Sequence, residues 1–301
     1  MNDHKAGYVA IIGLPNAGKS TLLNSILGQK LTITSPKPQT TRKSILGILS
    51  EENYQIIFID TPGILKPNYL LQEKMLKYII NSLNDADILL IVIDIEDDPK
   101  AEKFMQTDIF PKLKDIKTKK ILVLNKIDLY KKNNYEELYN YYKSLDFFDH
   151  LIAVSAITGM NVNDLVDLVV EHLPVHPKYY PEDYLSNENE RFFCREIIRE
   201  KIFTLFGEEI PFSCEVLINE FKERENAKDF IDASIVVEKE SQKPIIIGKG
   251  GKRIKQIGEM ARKDIENFLD REVYLQLNVI VKENWRQNPK LLNRFGYIDE
   301  E

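Results

Sequence analysis

The sequence predicts a doubly wound α/β domain with a mostly parallel sheet, followed by a smaller α+β domain. Three observations carry this. Short apolar runs alternate with helical periodicity through the first half. A proline-bearing stretch at 173–189, "LPVHPKYYPEDYLSNEN", then breaks the pattern. Beyond it, longer alternating strands flank a glycine-rich break, "GKGG".

Residues 8–12, 55–60, 88–94, 121–125 and 151–155 read as strands, apolar enough to be buried on both faces as parallel sheets require. Residues 19–27, 69–84, 136–145 and 162–173 read as the intervening helices. This gives a first domain at 1–173, a connection at 174–189 and a second domain at 190–301. In the second domain, 190–206 reads as an amphipathic helix, and 213–224 and 229–240 as antiparallel strands. A helix follows the glycine break, turning Ile254, Ile257, Ala261, Ile265 and Phe268 toward a core. A strand at 273–281 closes the domain, and Trp285 and Phe295 of the tail are expected to pack onto it.

Composition narrows the classes. With 43% hydrophobic and 29% charged residues, the 301-residue chain is globular rather than disordered. A net charge of -6 argues against a generally basic nucleic-acid binder, but local patches decide binding. Cys194 and Cys214 form no CxxC and no zinc set, so they read as buried, reduced thiols. His4, His150, His172 and His176 form no catalytic constellation. The start lacks a signal-peptide shape and no apolar run is long enough to span a bilayer, so the expectation is a cytoplasmic protein.

The chemistry begins at Gly13-Leu14-Pro15-Asn16-Ala17-Gly18-Lys19-Ser20-Thr21, which matches G-x-x-x-x-G-K-S/T between a strand and a helix. Glycines let backbone N–H groups turn onto phosphate oxygens, and the helix amino terminus favours their charge. Lys19 is expected to bridge the β- and γ-phosphates and Ser20 to ligate Mg²⁺. Asp60-Thr61-Pro62-Gly63 follows another strand, with Asp60 reaching Mg²⁺ through water and the Gly63 N–H meeting a γ-phosphate. In "QTTR", Thr40 or Thr41 would ligate Mg²⁺ when the γ-phosphate is present, and Thr41 is preferred.

The base is chosen further along. Asn125-Lys126-Ile127-Asp128 follows a strand. Asp128 can accept from guanine N1–H and the N2 amino group together, a pair adenine lacks. Asn125 would hold the loop, Lys126 pack its stem on the base, and Ser155 and Ala156 of "SAITG" offer N–H to O6. Five pieces at strand ends in this order indicate a P-loop GTPase domain binding GTP and GDP. The glutamine that small signalling GTPases place after D-x-x-G is replaced by Ile64, which predicts slow unaided hydrolysis. Asn16 would compensate by helping hold K⁺ beside the phosphates.

The second domain carries its own signal. From 242 to 263, seven Lys or Arg face Glu259 alone, a net +6. They surround Ile247, Gly248, Lys249, Gly250, Gly251, Lys252, Arg253 and Lys255 at the start of a helix. Small residues at a helix amino terminus admit a phosphodiester backbone, and the apolar "PIIIG" side can pack unstacked bases. This is the logic of a KH module, here of the type II topology, clamping about four nucleotides of single-stranded RNA.

Together "GLPNAGKST", "QTTR", "DTPG", "NKID", "SAITG" and "IIIGKGGKRIKQIGEMARKDI" make the chain resemble, over essentially its full length, the Era-like GTPases of bacterial ribosome assembly. The resemblance implies binding near the 3′ end of 16S rRNA in the small ribosomal subunit, and peripheral contact with the inner membrane. A monomer is expected, and no DNA partner. The alternative is an NTP-hydrolysing enzyme whose second domain is a protein adaptor, which would show no RNA affinity.

Overall fold

The structure is a computed structural model describing residues 4–132, 135–207 and 209–298. The expected domain ends at 1–3 and 299–301 lie outside the described residues. The chain divides into two compact units, the first ending at Asn187 and the second running from Glu188, with Tyr69–Leu71 grouped with the second.

In the first unit the order is β1 (Lys5–Ile12), α1 (Lys19–Leu27), β2 (Ile45–Ser50), β3 (Tyr54–Asp60), α2 (Leu70–Asp85), β4 (Ile88–Asp94), α3 (Glu102–Met105), α4 (Phe110–Asp115), β5 (Lys119–Asn125), α5 (Tyr135–Ser144), β6 (His150–Ala153) and α6 (Val162–His172). The six-stranded sheet is ordered β2-β3-β1-β4-β5-β6. All neighbouring pairs are parallel except β2 with β3, which is antiparallel. The strand β2 is an addition to the sequence expectation, which gave 42–54 no element. In β4, "ILLIVID" is buried to the last residue but one, the pattern of a strand covered on both faces. Strand order switches from one side of β1 to the other while β3, β1, β4 and β5 keep one direction, so the loops after β1, β3, β4 and β5 open at one end of the sheet.

The connection does not hang free. Gln55, fully buried in β3, accepts from the Tyr179 and Tyr180 N–H groups at 2.8 and 3.0 Å. Its Nε2 donates to Tyr180 O at 2.8 Å and Ser50 Oγ at 2.9 Å. The Ile48 N–H donates to Leu185 O at 2.9 Å and the Ala6 N–H to Pro174 O at 3.1 Å. Residues 174–187 thus run along the first unit.

The second unit contains α7 (Glu190–Leu205), α8 (Ile210–Ser213), β7 (Glu215–Lys222), β8 (Asp229–Val237), α9 (Lys243–Ile247), α10 (Lys252–Leu269), β9 (Val273–Val281) and α11 (Pro289–Arg294). Its sheet is ordered β7-β8-β9, antiparallel then parallel. Helices α7 and α10 pack together, with Ile198, Ile202, Ile257, Ala261 and Ile265 buried against Ile231, Ile235 and Val273. Phe268 departs from the expected core face: in the last turn of α10 it is 39% exposed and packs sideways on Phe193, with ring centroids 5.1 Å apart, while the buried stripe is Ile257, Ala261 and Ile265. Trp285 is fully buried, donates to Ser213 O at 2.9 Å and meets the Phe295 ring at 5.5 Å, as the tail reading expected. Cys194 and Cys214 are free and buried.

Replacing Gln55 by Ala would leave the Tyr179 and Tyr180 N–H groups unpaired, a cost of about 1–3 kcal/mol. Denaturant unfolding should show that loss, and limited proteolysis should cut faster within 174–187. Unchanged stability and cleavage would contradict the docking.

Candidate nucleotide and nucleic-acid sites

A cleft of about 500 Å³ opens at the carboxyl ends of β1 and β3, lined by residues of the phosphate loop, the 33–41 segment, Gly63 and Lys126. Inside it the hydroxyl of Ser20 donates to Asp60 Oδ2 at 2.6 Å and lies 2.9 Å from Thr41 Oγ1. Thr40 is directed elsewhere, donating to Lys37 O at 2.7 Å. The structure thus brings Ser20, Thr41 and Asp60 together and leaves Thr40 outside the group.

Asp60 is fully buried, and burial raises its pKa to about 6 against the lowering effects of Ser20, Lys19 and Thr41. Its Oδ1 has no hydrogen-bond partner. A buried carboxylate oxygen without a donor beside two hydroxyls is a donor set suited to a hard divalent cation and its water. Lys19 is likewise buried, its Nζ donating to Gly13 O at 3.2 Å and Leu14 O at 3.0 Å. Burial lowers its pKa to about 8, partly opposed by Asp60. An anion delivered to this cleft meets a cation held at a cost, and its arrival removes that cost.

The loops are tied to one another. Asn125 donates to Ala17 O at 2.9 Å and accepts from the Ala156 N–H at 3.0 Å, joining the phosphate loop, the end of β5 and the loop after β6. Gly18 has φ of 92°, and a β-carbon there would lie 2.2 Å from Asn125 Nδ2, so only glycine lets this contact form. Ser155 Oγ donates to Asp128 Oδ1 at 2.6 Å. The Ser155 N–H pairs with Met160 O at 3.0 Å, so both N–H groups expected at guanine O6 are engaged within the protein. Lys126 lies 2.5 Å from Asp94 Oδ2, fixing its stem along the cleft wall. Asp94 in this role was not read from the sequence; it stands across from Asn125 in the β4–β5 register, a pairing that only the fold reveals.

Thr61 donates to Ile11 O at 2.7 Å, and the Ile64 N–H to Gly13 O at 3.1 Å, seating the loop through Pro62 and Gly63 against the phosphate loop. Ile64 itself is buried in the core. Asn16 is exposed on the cleft rim with a left-handed φ of 64°, and Leu14, Pro15 and Thr21 complete the loop.

In the second unit, Gly248, Gly250 and Gly251 take φ of 73°, 60° and 74° between α9 and α10. A β-carbon on Gly250 or Gly251 would meet nothing within 4 Å, so the conformation, and not crowding, calls for glycine. Lys249, Lys252, Arg253 and Lys255 are exposed around this turn. Arg253 lies over the Phe206 ring at 5.4 Å. The apolar run before the glycines forms the helix α9, in which Ile246 faces the core, Ile247 is half-buried, and Ile245 is 42% exposed. Below the turn a groove of about 500 Å³ runs between α10 and β9, lined by Ile254, Lys255, Gly258, Arg262, Tyr274 and Leu277. Sequence reading missed the β9 wall, because alternation marks which residues face out but not which helix they stand beside.

Residues 8–126 match the family described as a 50S ribosome-binding GTPase, and residues 209–286 match the KH domain. The chain is 46% identical over 300 residues to a chloroplastic GTPase ERA1 of Zea mays, covering 99% of this chain and 72% of that protein. It is 45% identical over 294 residues to a GTPase Era of Clostridium botulinum, covering 97% and 98%. A solved structure of Era in complex with MgGDPNP and nucleotides 1506–1542 of 16S ribosomal RNA is similar with a TM-score of 0.92 and 40% identity, covering 98% of this chain and 99% of that one. With likeness extending over nearly the whole length and both units, the chain belongs to the Era family of GTPases.

Proposed function

We propose that this chain hydrolyses GTP in its first unit, binds single-stranded ribosomal RNA through its second, and serves assembly of the small ribosomal subunit. One observation carries the reading: sequence pieces more than a hundred residues apart converge on one cleft through Ser20, Asp60, Thr41 and the Asn125 bridge. Membership of the Era family supports it, as does the relative solved with MgGDPNP and 16S rRNA nucleotides. The GTPase domain is 1–173, the connection 174–189 and the KH domain 190–301.

In this reading Lys19 bridges the β- and γ-phosphates, and the backbone of 13–18 cradles them. Ser20, Thr41 and Asp60 would hold Mg²⁺, which neutralises charge on the phosphate oxygens when bound. Asp128 selects guanine, Asn125 keeps the three loops in register, and Lys126 covers the base. Asn16 would help hold K⁺ at the rim. The turn 248–251 takes the RNA backbone, Ile247 packs bases, and Lys249, Lys252, Arg253 and Lys255 attract phosphate. Retention of Thr41 by the γ-phosphate and its release on hydrolysis is the switch, so nucleotide state and RNA affinity are reciprocally coupled. The chain works as a monomer in the cytoplasm with peripheral membrane contact. No helix among the described residues is long and apolar enough to cross a membrane.

The pH dependence follows from the two buried charges. Asp60 must be ionised to serve a cation, so Mg²⁺-dependent affinity falls as pH drops through about 6. Lys19 must be charged to serve phosphate, so affinity also falls as pH rises through about 8, and binding near that pH takes up a proton. Calorimetry in buffers of differing ionisation enthalpy should show this maximum between the two values; a flat profile would contradict it.

The double change Gly250→Asp and Gly251→Asp tolerates the left-handed backbone but puts two negative charges on the turn. Affinity for a single-stranded oligoribonucleotide, read by fluorescence anisotropy, should fall by about tenfold or more, with GTP affinity unchanged. Equal RNA binding would overturn the RNA reading. GTP turnover in KCl should exceed that in NaCl at equal ionic strength, and equal rates would remove the K⁺ role.

A further inference from the structure

Hydrolysis requires a water held in line with the γ-phosphate, and the residue after D-x-x-G cannot hold it here. Ile64 is 4% exposed in the core, and its N–H is committed to Gly13 O. The geometry points to Gln39 as the side chain that orients the attacking water. This inference rests on the reading of the chain as a GTPase.

Three observations converge on Gln39. It lines the cleft together with Lys19, Ser20, Thr41 and Gly63, and Asn16 is the other carboxamide on that wall. It stands two residues before Thr41, whose hydroxyl is 2.9 Å from Ser20 Oγ, so it is carried to the phosphates by the segment that closes the metal site. Its backbone is left-handed, with φ of 61°. Among the described residues nine non-glycine positions are left-handed; six are Asn or Asp, which adopt this conformation readily, and the others are Gln39, Ala101 and Lys126. Gln39 and Lys126 both line this one cleft.

A glutamine kept in an unfavourable conformation needs its surroundings to hold it, and these do. Thr40 Oγ1 donates to Lys37 O at 2.7 Å, the Lys37 N–H to Ser35 Oγ at 3.2 Å, and Thr40 and Thr41 are buried. Strain of this kind gathers where a side chain must be aimed. Asn16 is one methylene shorter and sits on the phosphate loop.

The step balances without a protein base. The water oxygen attacks the γ-phosphorus while the bond from that phosphorus to the β–γ bridging oxygen breaks, and GDP leaves with the electron pair. A water proton passes to a γ-phosphate oxygen. The Gln39 carbonyl accepts a hydrogen bond from the water and its amide donates to a γ-phosphate oxygen, fixing the line of attack.

The test uses the full chain carrying Gln39→Gly or Gln39→Glu. Glycine keeps the left-handed turn without strain, so it isolates the loss of the side chain. Single-turnover GTP hydrolysis should slow by about 10²-fold in both variants. Binding of GDPNP should stay within about threefold of the parent, while the GDP–aluminium fluoride complex, which mimics the transition state, should be lost. Rates close to the parent's, or GDPNP affinity falling as far as the rate, would overturn the assignment and leave Gln39 a loop-shaping residue. A parent chain that does not hydrolyse GTP would instead overturn the GTPase reading and the inference with it.

Discussion

The side chain of Asn125 is the constraint on which the site depends. One amide group donates into the phosphate loop at Ala17 and accepts from the loop after β6 at Ala156. It is 1% exposed, so neither bond is traded with water. Through it the phosphate loop and the loop after β6 keep one spacing, set by the β1–β4–β5 register. Gly18 is the counterpart of this bond, since any side chain would occupy the place of the Asn125 amide.

Around that fixed frame lie charges held away from water. Asp60 and Lys19 are both buried and both shifted toward neutrality by burial. In the proposed reading a magnesium triphosphate would satisfy the two at once, making the nucleotide a structural part of the cleft as well as its substrate. Thr41 belongs to a segment without regular structure between α1 and β2, so the bond that recruits it also orders that segment. In the second unit the corresponding device is conformational. Three left-handed glycines head an eighteen-residue helix whose outer side is basic and whose inner side is core.

Much of this was legible in the sequence for a physical reason. Runs such as "ILLIVID" leave no alternative to a doubly covered strand, and G-x-x-x-x-G-K-S, DTPG and NKID encode backbone and side-chain chemistry in a few adjacent residues. What escaped depends on contacts between distant residues. "ILGILS" became β2 because its backbone pairs with β3, though polar neighbours and a glycine obscured it. The apolar run before the GKGG turn formed α9, since a stretch that short fits helix or loop equally. Thr41, the residue preferred from sequence, lies beside Ser20 Oγ, while Thr40, alike in residue type, turns to the Lys37 carbonyl. The left-handed backbone of Gln39 and the Asp94 anchor of Lys126 leave no mark in residue type.

The central claim is that one cleft, held in register by Asn125, accepts a guanine nucleotide because Asp128 pairs with its base edge. Calorimetric titration of the full chain with GTP and with ATP, at saturating Mg²⁺ and neutral pH, tests it most directly. The account predicts GTP binding tighter by about 10⁴-fold. Equal affinity for the two, or a preference for ATP, would contradict it.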